Sequence, residues 1–132
     1  MAVNFLKPEG MHLNPAFTQA ILIPAGARTL IIGGQNAVDA EGRIVGRDDL
    51  GAQTTKALDN LQRCLAAGGA TLEQLVQVKL YLKGDIDLRP GFAAWMALWG
   101  ARPNPPTVTG LRVHGLAHPD YLIEIEAMAV LG

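Results

Sequence analysis

The sequence predicts an α+β fold in which a β-sheet carries two helices on one of its faces. Apolar and ionisable residues alternate over residues 76–83 and again over residues 122–129, and a period of two predicts strands with one apolar face. Apolar residues recur at helical spacing after Asp49 and after Asp87, which predicts two amphipathic helices. Two helices cover about one face of such a sheet and leave the other face open.

Length and composition predict one domain, covering residues 1–132. Hydrophobic residues make up 49% of the chain, which is ample for a single core. A net charge of −1, with Lys and Arg scattered singly, offers no electrostatic surface to nucleic acid. No secretory signal or apolar run of membrane-spanning length is evident. We therefore expect a cytoplasmic protein that binds neither nucleic acid nor membrane.

The region before the first helix predicts a hairpin and a turn. Residues 20–23 and 29–32 are apolar runs on either side of a short loop, which is typical of a β-hairpin. Gly33 and Gly34 follow the second run, and glycine at a strand end indicates close approach of the backbone to another group. A polar turn is expected over residues 39–42.

Capping residues delimit the two predicted helices. Asp48 or Asp49 is suited to cap the first helix, and the glycines at residues 68–69 to end it. Residues 71–74 match a capping box, but a strand follows at once, so only one helical turn is expected there. Asp87 is suited to cap the second helix. The apolar stripe of that helix is formed by Phe92, Trp95, Met96 and Trp99.

Further strands are predicted at residues 76–83, 107–114 and 122–130. In the second of these, the residues pointing away from the helices are predicted to be Val108, Gly110, Arg112 and His114. Neighbouring strands add Lys79, Tyr81, Glu124 and Glu126 to the same surface. Mixed charge with small and apolar patches is the composition of a wet subunit interface, so self-association through the open face of the sheet is expected.

Few residues suit catalysis. The histidines lie at no metal-ligand spacing, so no metal site is expected. The single cysteine, Cys64, is interpreted as a small hydrophobe, and the absence of serine excludes a serine triad. Glu124 is the strongest candidate. It either pairs with Lys79 or Arg112 on a neighbouring strand, or it is a partly desolvated carboxylate that positions water or passes a proton.

Five segments together resemble the YjgF or Rid (reactive intermediate deaminase) family. They are residues 31–35, 39–45, 53–69, 76–83 and 123–129, so the resemblance covers nearly the whole chain. It implies a chorismate-mutase-like mixed sheet, a homotrimer with a central β-barrel, and ligand clefts between neighbouring subunits. Archetypal RidA-like members hydrolyse 2-imino or enamine acids to 2-keto acids and ammonia. They need no cofactor, and none is expected here.

The resemblance also implies a set of cleft residues, most of which differ in this chain. Alignment with the family's penultimate strand puts Val108 where an arginine clamps the substrate carboxylate. Phe17 replaces a cleft tyrosine, Gly33 a serine and Phe92 an asparagine. Glu124 retains the glutamate of the terminal strand and is the implied catalytic residue. Because a valine offers only dispersion contacts, archetypal iminopyruvate hydrolysis is not expected.

These differences imply a roomier, more apolar pocket that suits a larger carboxylate or an aromatic metabolite. Backbone groups near Gly33 and Gly34 would hold the ligand. Arg112 would anchor a distant carboxylate, or else pair with a glutamate. The implied function is hydrolysis of an imine or enamine intermediate to a keto acid and ammonia in an intersubunit cleft. The alternative is a non-catalytic trimer that binds a small metabolite as sensor or scavenger. A ribonuclease is disfavoured, because acidic residues slightly outnumber basic ones.

Overall fold

A four-stranded mixed sheet lies at the centre of the computed structural model, which describes residues 3–132. The described elements are β1 (Asn4–Leu6), β2 (Ala20–Leu22), β3 (Arg28–Gln35), α1 (Leu50–Ala67), β4 (Leu75–Lys83), α2 (Arg89–Trp99), β5 (Thr107–Val113) and β6 (Ile123–Leu131). The sheet order is β3-β6-β4-β5, with β6 antiparallel to both neighbours and β4 parallel to β5. Parallel strands need a crossover, and α2 supplies it. The α+β prediction is confirmed.

Helix α1 begins and ends where its capping residues predict. Asp49 accepts a hydrogen bond from the backbone N–H of Ala52 at 3.0 Å, which satisfies a donor of the first turn. After the last turn, Gly69 has a φ of 76°, a conformation that glycine adopts without strain. The buried side of α1 packs against the sheet and contributes Ala57, Leu58, Leu61 and Leu65 to the core.

Helix α2 packs chiefly against α1 rather than on the sheet. The approach is close at Gly91, where a Cβ atom would lie 3.2 Å from Oγ1 of Thr54. At the other end Trp99 is buried, and its indole N–H donates to the carbonyl of Arg102 at 2.8 Å. The helix is therefore fixed at both ends, while its middle stands off from the parallel strands.

The prediction for the start of α2 needs a small correction. Leu88, not Asp87, is the N-cap residue, although Asp87 does accept a hydrogen bond from the backbone N–H of Arg89 at 3.1 Å. The capping box at residues 71–74 forms as predicted and gives a single 3₁₀ turn, Leu72–Gln74.

The predicted hairpin of residues 20–23 with 29–32 is wrong. Strand β2 pairs antiparallel with β1, with Phe5 opposite Ile21, in a small sheet separate from the central one. Strand β3 pairs with β6 instead. The loop between the two apolar runs suits a hairpin, but the last strand, distant in sequence, offers β3 a longer and better buried partner.

The face assignment in β5 is also wrong. In the parallel ladder, Val108 lies opposite Val78 and Arg112 opposite Leu82, so Val108, Gly110 and Arg112 face the helices. The residues facing away are Thr109, Leu111 and Val113. Alternation separates a strand into two sets, but register decides which set faces the core. Both sets here mix apolar with polar or small residues, so composition does not distinguish them.

The two faces of the central sheet have different surroundings. The face toward α1 is lined by the core, which includes Val78, Leu82, Ile123, Ile125 and Ala127. The opposite face, the open face, carries Ile31, Lys79, Tyr81, Leu111, Glu124 and Glu126. Ile31 is 76% exposed there and Leu111 51%. Neither helix of the described residues has the length and apolar character to cross a bilayer.

Candidate functional site

A cavity of about 340 Å³ lies between α2 and the parallel strands, where the helix stands off from the sheet. Four residues singled out in the sequence line it: Phe17, Phe92, Val108 and Arg112. Phe92 is 49% exposed, so it is a wall of this helix-side cavity and not a core residue. Its helical neighbour Trp95 lines the cavity too, stacked against Trp99 with ring centroids 5.4 Å apart.

Aliphatic side chains complete the walls of the helix-side cavity. They come from β4 (Val78, Leu80 and Leu82) and from β6 (Ile123 and Ile125). Gly110 keeps the β5 side of the cavity open, because a Cβ atom there would lie 3.1 Å from Cδ1 of Leu80. The period of two in three strands therefore builds one continuous apolar floor. An apolar cavity of this size is typical of small-molecule sites.

Arg112 is the one ionisable residue among the described walls of the cavity. Its Nη1 donates to the carbonyl of Gly84 at 3.1 Å and to that of Ile86 at 2.9 Å. Within residues 3–132 it makes no ion pair with a glutamate, and its Nε and Nη2 donate no hydrogen bond. The guanidinium is thus held at the end of β5 by two backbone carbonyls.

Glu124 lies on the open face, in a half-buried position between the inward-facing Ile123 and Ile125. Its Oε1 accepts a hydrogen bond from Nδ2 of Asn36 at 3.2 Å. The other side of the carboxylate lies over Gly34, where a Cβ atom would be only 2.6 Å from Cδ of Glu124. The predicted close approach is confirmed at Gly34. Gly33 has open space around it.

The pairing of Glu124 with Lys79 or Arg112 is not found among the described residues. Arg112 faces the helices, so the sheet separates it from this carboxylate. Lys79 lies opposite Glu126 on the neighbouring strand instead. Glu124 is therefore held by an amide, and no cation among residues 3–132 forms an ion pair with it.

Asn36 escaped sequence reasoning, although it positions Glu124. Its side chain also donates to the carbonyl of Ile123 at 3.3 Å. Asn60 of α1 in turn donates to the carbonyl of Asn36 at 2.9 Å, which fixes the segment after β3. A single asparagine after Gly-Gly-Gln has no pattern that could have identified it.

A second polar pair lies beside Glu124 on the open face. The hydroxyl of Tyr81 donates to Oε1 of Glu126. This hydrogen bond raises the pKa of Tyr81, with smaller contributions from burial and from the charges of Glu126 and Glu124. Tyr81 stays neutral and remains a hydrogen-bond donor well into the alkaline range.

The remaining candidates lie away from both places. His12 and His114 are exposed, and Nδ1 of His118 accepts from the backbone N–H of Asp120 at 3.0 Å. Cys64 is partly buried against the core, as expected of a small hydrophobe. Within residues 3–132, no three His, Cys, Asp or Glu side chains come together as a metal site.

The predicted site residues therefore form two groups that a single chain does not bring together. Phe17, Phe92, Val108 and Arg112 lie around the helix-side cavity. Gly33, Gly34 and Glu124 lie on β3 and β6 at the open face. The central sheet stands between the two groups.

Comparison with known proteins identifies the family. The family model described as Endoribonuclease L-PSP matches residues 12–131. The chain belongs to this family, the YjgF or Rid family. A solved Rid-family structure, YyfB of Yersinia pestis, is 37% identical and superposes with a TM-score of 0.86, covering 99% of this chain and 100% of that one.

Other relatives in the family align with this chain over most of their length. A RutC family protein of Pyrococcus horikoshii is 31% identical over 126 residues, which are 96% of this chain and 91% of the relative. The YjgF gene product of E. coli is 27% identical with a TM-score of 0.72, covering 83% of this chain and 85% of that one. The family resemblance predicted from the sequence is thereby confirmed, together with its mixed-sheet fold.

Proposed function

We propose that this protein is a divergent Rid-family hydrolase that converts an imine or enamine metabolite into a keto acid and ammonia. The observation that carries the proposal is the environment of the Glu124 carboxylate. It is half-buried, oriented by Asn36 and packed over Gly34, and no cation neutralises it among the described residues. A carboxylate held in this way is suited to accept a proton from water.

In the proposed reaction, Glu124 acts as the general base and then as the general acid. The imine binds protonated at nitrogen, and Glu124 takes a proton from water as the water oxygen bonds to the imine carbon and the C=N π pair moves to nitrogen, which gives a neutral carbinolamine. Glu124 then donates this proton to the amine and takes back the proton of the carbinolamine hydroxyl. The C=O bond forms as the C–N bond breaks, so that ammonia and the keto acid are released. Backbone groups near Gly33 and Gly34 hold the ligand. The chemistry needs no cofactor.

The proposed site is completed by a second copy of the chain. Exposed Ile31 and Leu111 lie on a sheet face that neither described helix covers, and such patches mark interaction surfaces. Strand β5 is an edge of the sheet, so its cavity can open toward a neighbour. In a homotrimer the helix-side cavity of one subunit would meet Glu124 and Gly34 of the next, and β-sheets would line a central barrel.

A second candidate function is metabolite binding without turnover. It is favoured by the walls of the helix-side cavity, whose described residues include a single ionisable one, Arg112. An apolar cavity with a single cation binds and orients a ligand but transfers no proton. A ribonuclease is disfavoured, because 11 Lys and Arg face 12 Asp and Glu. Titration with RNA at low salt is expected to show no binding.

Ammonia release tests the proposal. Imines are generated in place by an amino-acid oxidase acting on aliphatic and aromatic amino acids, and release is compared with that in buffer. We expect acceleration by the parent protein and a loss on the order of a hundredfold in Glu124→Gln. The matched control is Glu126→Gln, on the same strand and face, which keeps activity. Release no faster than in buffer, with every imine, contradicts hydrolysis and leaves metabolite binding.

Oligomeric state is the second test. Light scattering is expected to give about 42 kDa, three times the 14.0 kDa of one chain. A mass of one chain at working concentration contradicts the intersubunit cleft.

A further inference from the structure

The size of the helix-side cavity restricts the ligands that fill it. At about 340 Å³ it has roughly twice the volume in which a benzene molecule is accommodated elsewhere. A three-carbon imino acid would leave most of its aromatic and aliphatic walls uncovered. A phenyl ring with a short alkyl chain would cover them, and each buried methylene adds favourable transfer energy.

Arg112 provides this cavity with a charged group that can recognise a ligand. Its two hydrogen bonds to the carbonyls of Gly84 and Ile86 use Nη1 and fix the guanidinium in place. Nε and Nη2 form the other edge of the planar group, and no described residue bonds to it. That edge matches the two oxygens of a carboxylate, and little side-chain entropy is lost on binding because the group is already fixed.

The charges near Arg112 do not cancel its attraction for an anion. Asp87 is a described carboxylate whose pKa is lowered mainly by hydrogen bonds from Arg89 and only weakly by Arg112. Arg89 binds both carboxylate oxygens of Asp87, at 2.8 to 3.1 Å. This pair is internally neutral, and Asp85, which lies between the two residues whose carbonyls hold Arg112, is exposed and forms no ion pair with Arg112 within residues 3–132.

We infer that the helix-side cavity binds carboxylic acids with a bulky apolar or aromatic tail, the tail in the cavity and the carboxylate on Arg112. The inference rests on the proposed function and names its substrate class: the imine of an aromatic or long-chain amino acid, with the acid group recognised four residues along β5 from Val108. It assigns Arg112 a binding role that is separate from the chemistry at Glu124.

Titration with 4-phenylbutanoate tests the inference, with tryptophan fluorescence as the signal because Trp95 lines the cavity. The uncharged isostere 4-phenylbutan-1-ol measures the tail alone, and propanoate measures the carboxylate alone. We expect saturable binding of 4-phenylbutanoate, about tenfold tighter than the alcohol and on the order of a hundredfold tighter than propanoate.

Variants separate the cation from the cavity. Arg112→Met is expected to weaken binding of the acid about tenfold, to the affinity of the alcohol, and to leave the affinity for the alcohol unchanged. Arg112→Lys keeps the charge and the bonds to backbone carbonyls but not the planar fork, and loses about threefold. Val108→Trp fills the cavity and abolishes binding of both the acid and the alcohol. The control Arg63→Met removes an exposed cation of α1 and changes neither.

Two results would overturn the inference. The first is equal affinity of the parent for acid and alcohol, a comparison that depends on no variant. The second is no saturable binding of either, which means that the cavity is closed by a neighbouring chain or too shallow. These titrations involve no turnover, so their failure leaves hydrolysis at Glu124 to stand or fall by ammonia release. If the parent protein binds 4-phenylbutanoate as expected but releases ammonia no faster than buffer, only the proposed hydrolysis is refuted.

Discussion

The helix face and the open face of the central sheet are built from the same strands but differ in chemical character. In β6, Ile123 and Ile125 point into the core and the cavity floor, while Glu124 between them points to the open face. The helix face is apolar and encloses a volume. The open face holds the carboxylates and the exposed Ile31. The difference teaches that the floor of the cavity and the Glu124 carboxylate are separated by a single residue in sequence and by the whole sheet in space.

That separation explains how Glu124 is held in position although it is only half-buried. Its neighbours in sequence are anchored in the core, so the backbone of β6 has little freedom. Asn36, held by Asn60 of α1, then fixes the side chain. The helix side of the molecule thus supports a side chain on the open face, as the proposed site requires.

The largest expected effect is on stability, at the helix face. Leu61→Ala removes a fully buried side chain of α1 and should lower the free energy of unfolding by about 2–5 kcal/mol, measured by urea denaturation. The matched control is Leu22→Ala in β2, where leucine is 58% exposed, and it should cost less than about 1 kcal/mol. Equal losses would mean that the core is not where α1 meets the sheet.

The next effect is on catalysis at the open face. Gly34→Ala places a methyl group against Cδ of Glu124 and must displace the carboxylate from Asn36, so ammonia release should fall on the order of a hundredfold. Gly33→Ala, with open space around it, should stay within a few-fold of the parent. Neither glycine has positive φ, so alanine fits both backbones. If both variants retain full activity, the position of Glu124 is irrelevant to turnover.

A smaller effect is expected on assembly. Ile31→Ala trims an apolar side chain that is 76% exposed in one chain, and it should weaken association by roughly 1–2 kcal/mol, or about tenfold. Dilution followed by light scattering measures this change. Thr55→Ala, on the exposed side of α1, is the control. An unchanged midpoint for Ile31→Ala would show that the open face is not the interface.

The smallest effect is a pH dependence on the helix side. Arg102 donates to Glu73 at 2.8 Å, and this hydrogen bond lowers the pKa of the Glu73 carboxyl below its ordinary value of 4.5. A lowered pKa contributes stability above the ordinary value, and that stability is lost as pH falls through the lowered one. Glu73→Gln should therefore destabilise the protein by at most about 1 kcal/mol at pH 7, because the pair is exposed.

Thermal unfolding at pH 7 and near pH 3 measures this contribution. The parent and Glu73→Gln should differ at neutral pH and converge in acid, and 1 M salt should shrink the difference. Glu9→Gln, at an exposed position without an ion pair among the described residues, should show no such convergence. A constant difference at all pH values would point to lost packing and not to charge.

Local signals predicted much of the fold. Asp49 and the glycines at residues 68–69 delimit α1 because capping depends on neighbours in sequence, and the capping box at residues 71–74 follows the same rule. The family resemblance then added the mixed sheet, which neither periodicity nor propensity specifies. The partner of β2 was missed because β1 has only three residues and no pattern of its own.

The site was harder to predict than the fold. Glu124 and Gly34 were singled out as candidates, since an acid in an apolar strand and a paired glycine are visible in the sequence, and the structure brings the two into contact. The face of Val108 and Arg112 was missed because it depends on the parallel register with β4, which no short-range signal encodes. Asn36 was missed because its role exists only once β3 and β6 are paired.

Mixed oligomers test the central claim, that the helix-side cavity of one chain works with Glu124 of another. Glu124→Gln and Val108→Trp chains, each inactive alone, are co-expressed with different tags, and oligomers carrying both tags are isolated. The account predicts about one active site in three, because a cyclic trimer with both kinds of chain brings one intact cavity to one intact carboxylate. Doubly tagged oligomers that release no ammonia above buffer would contradict it.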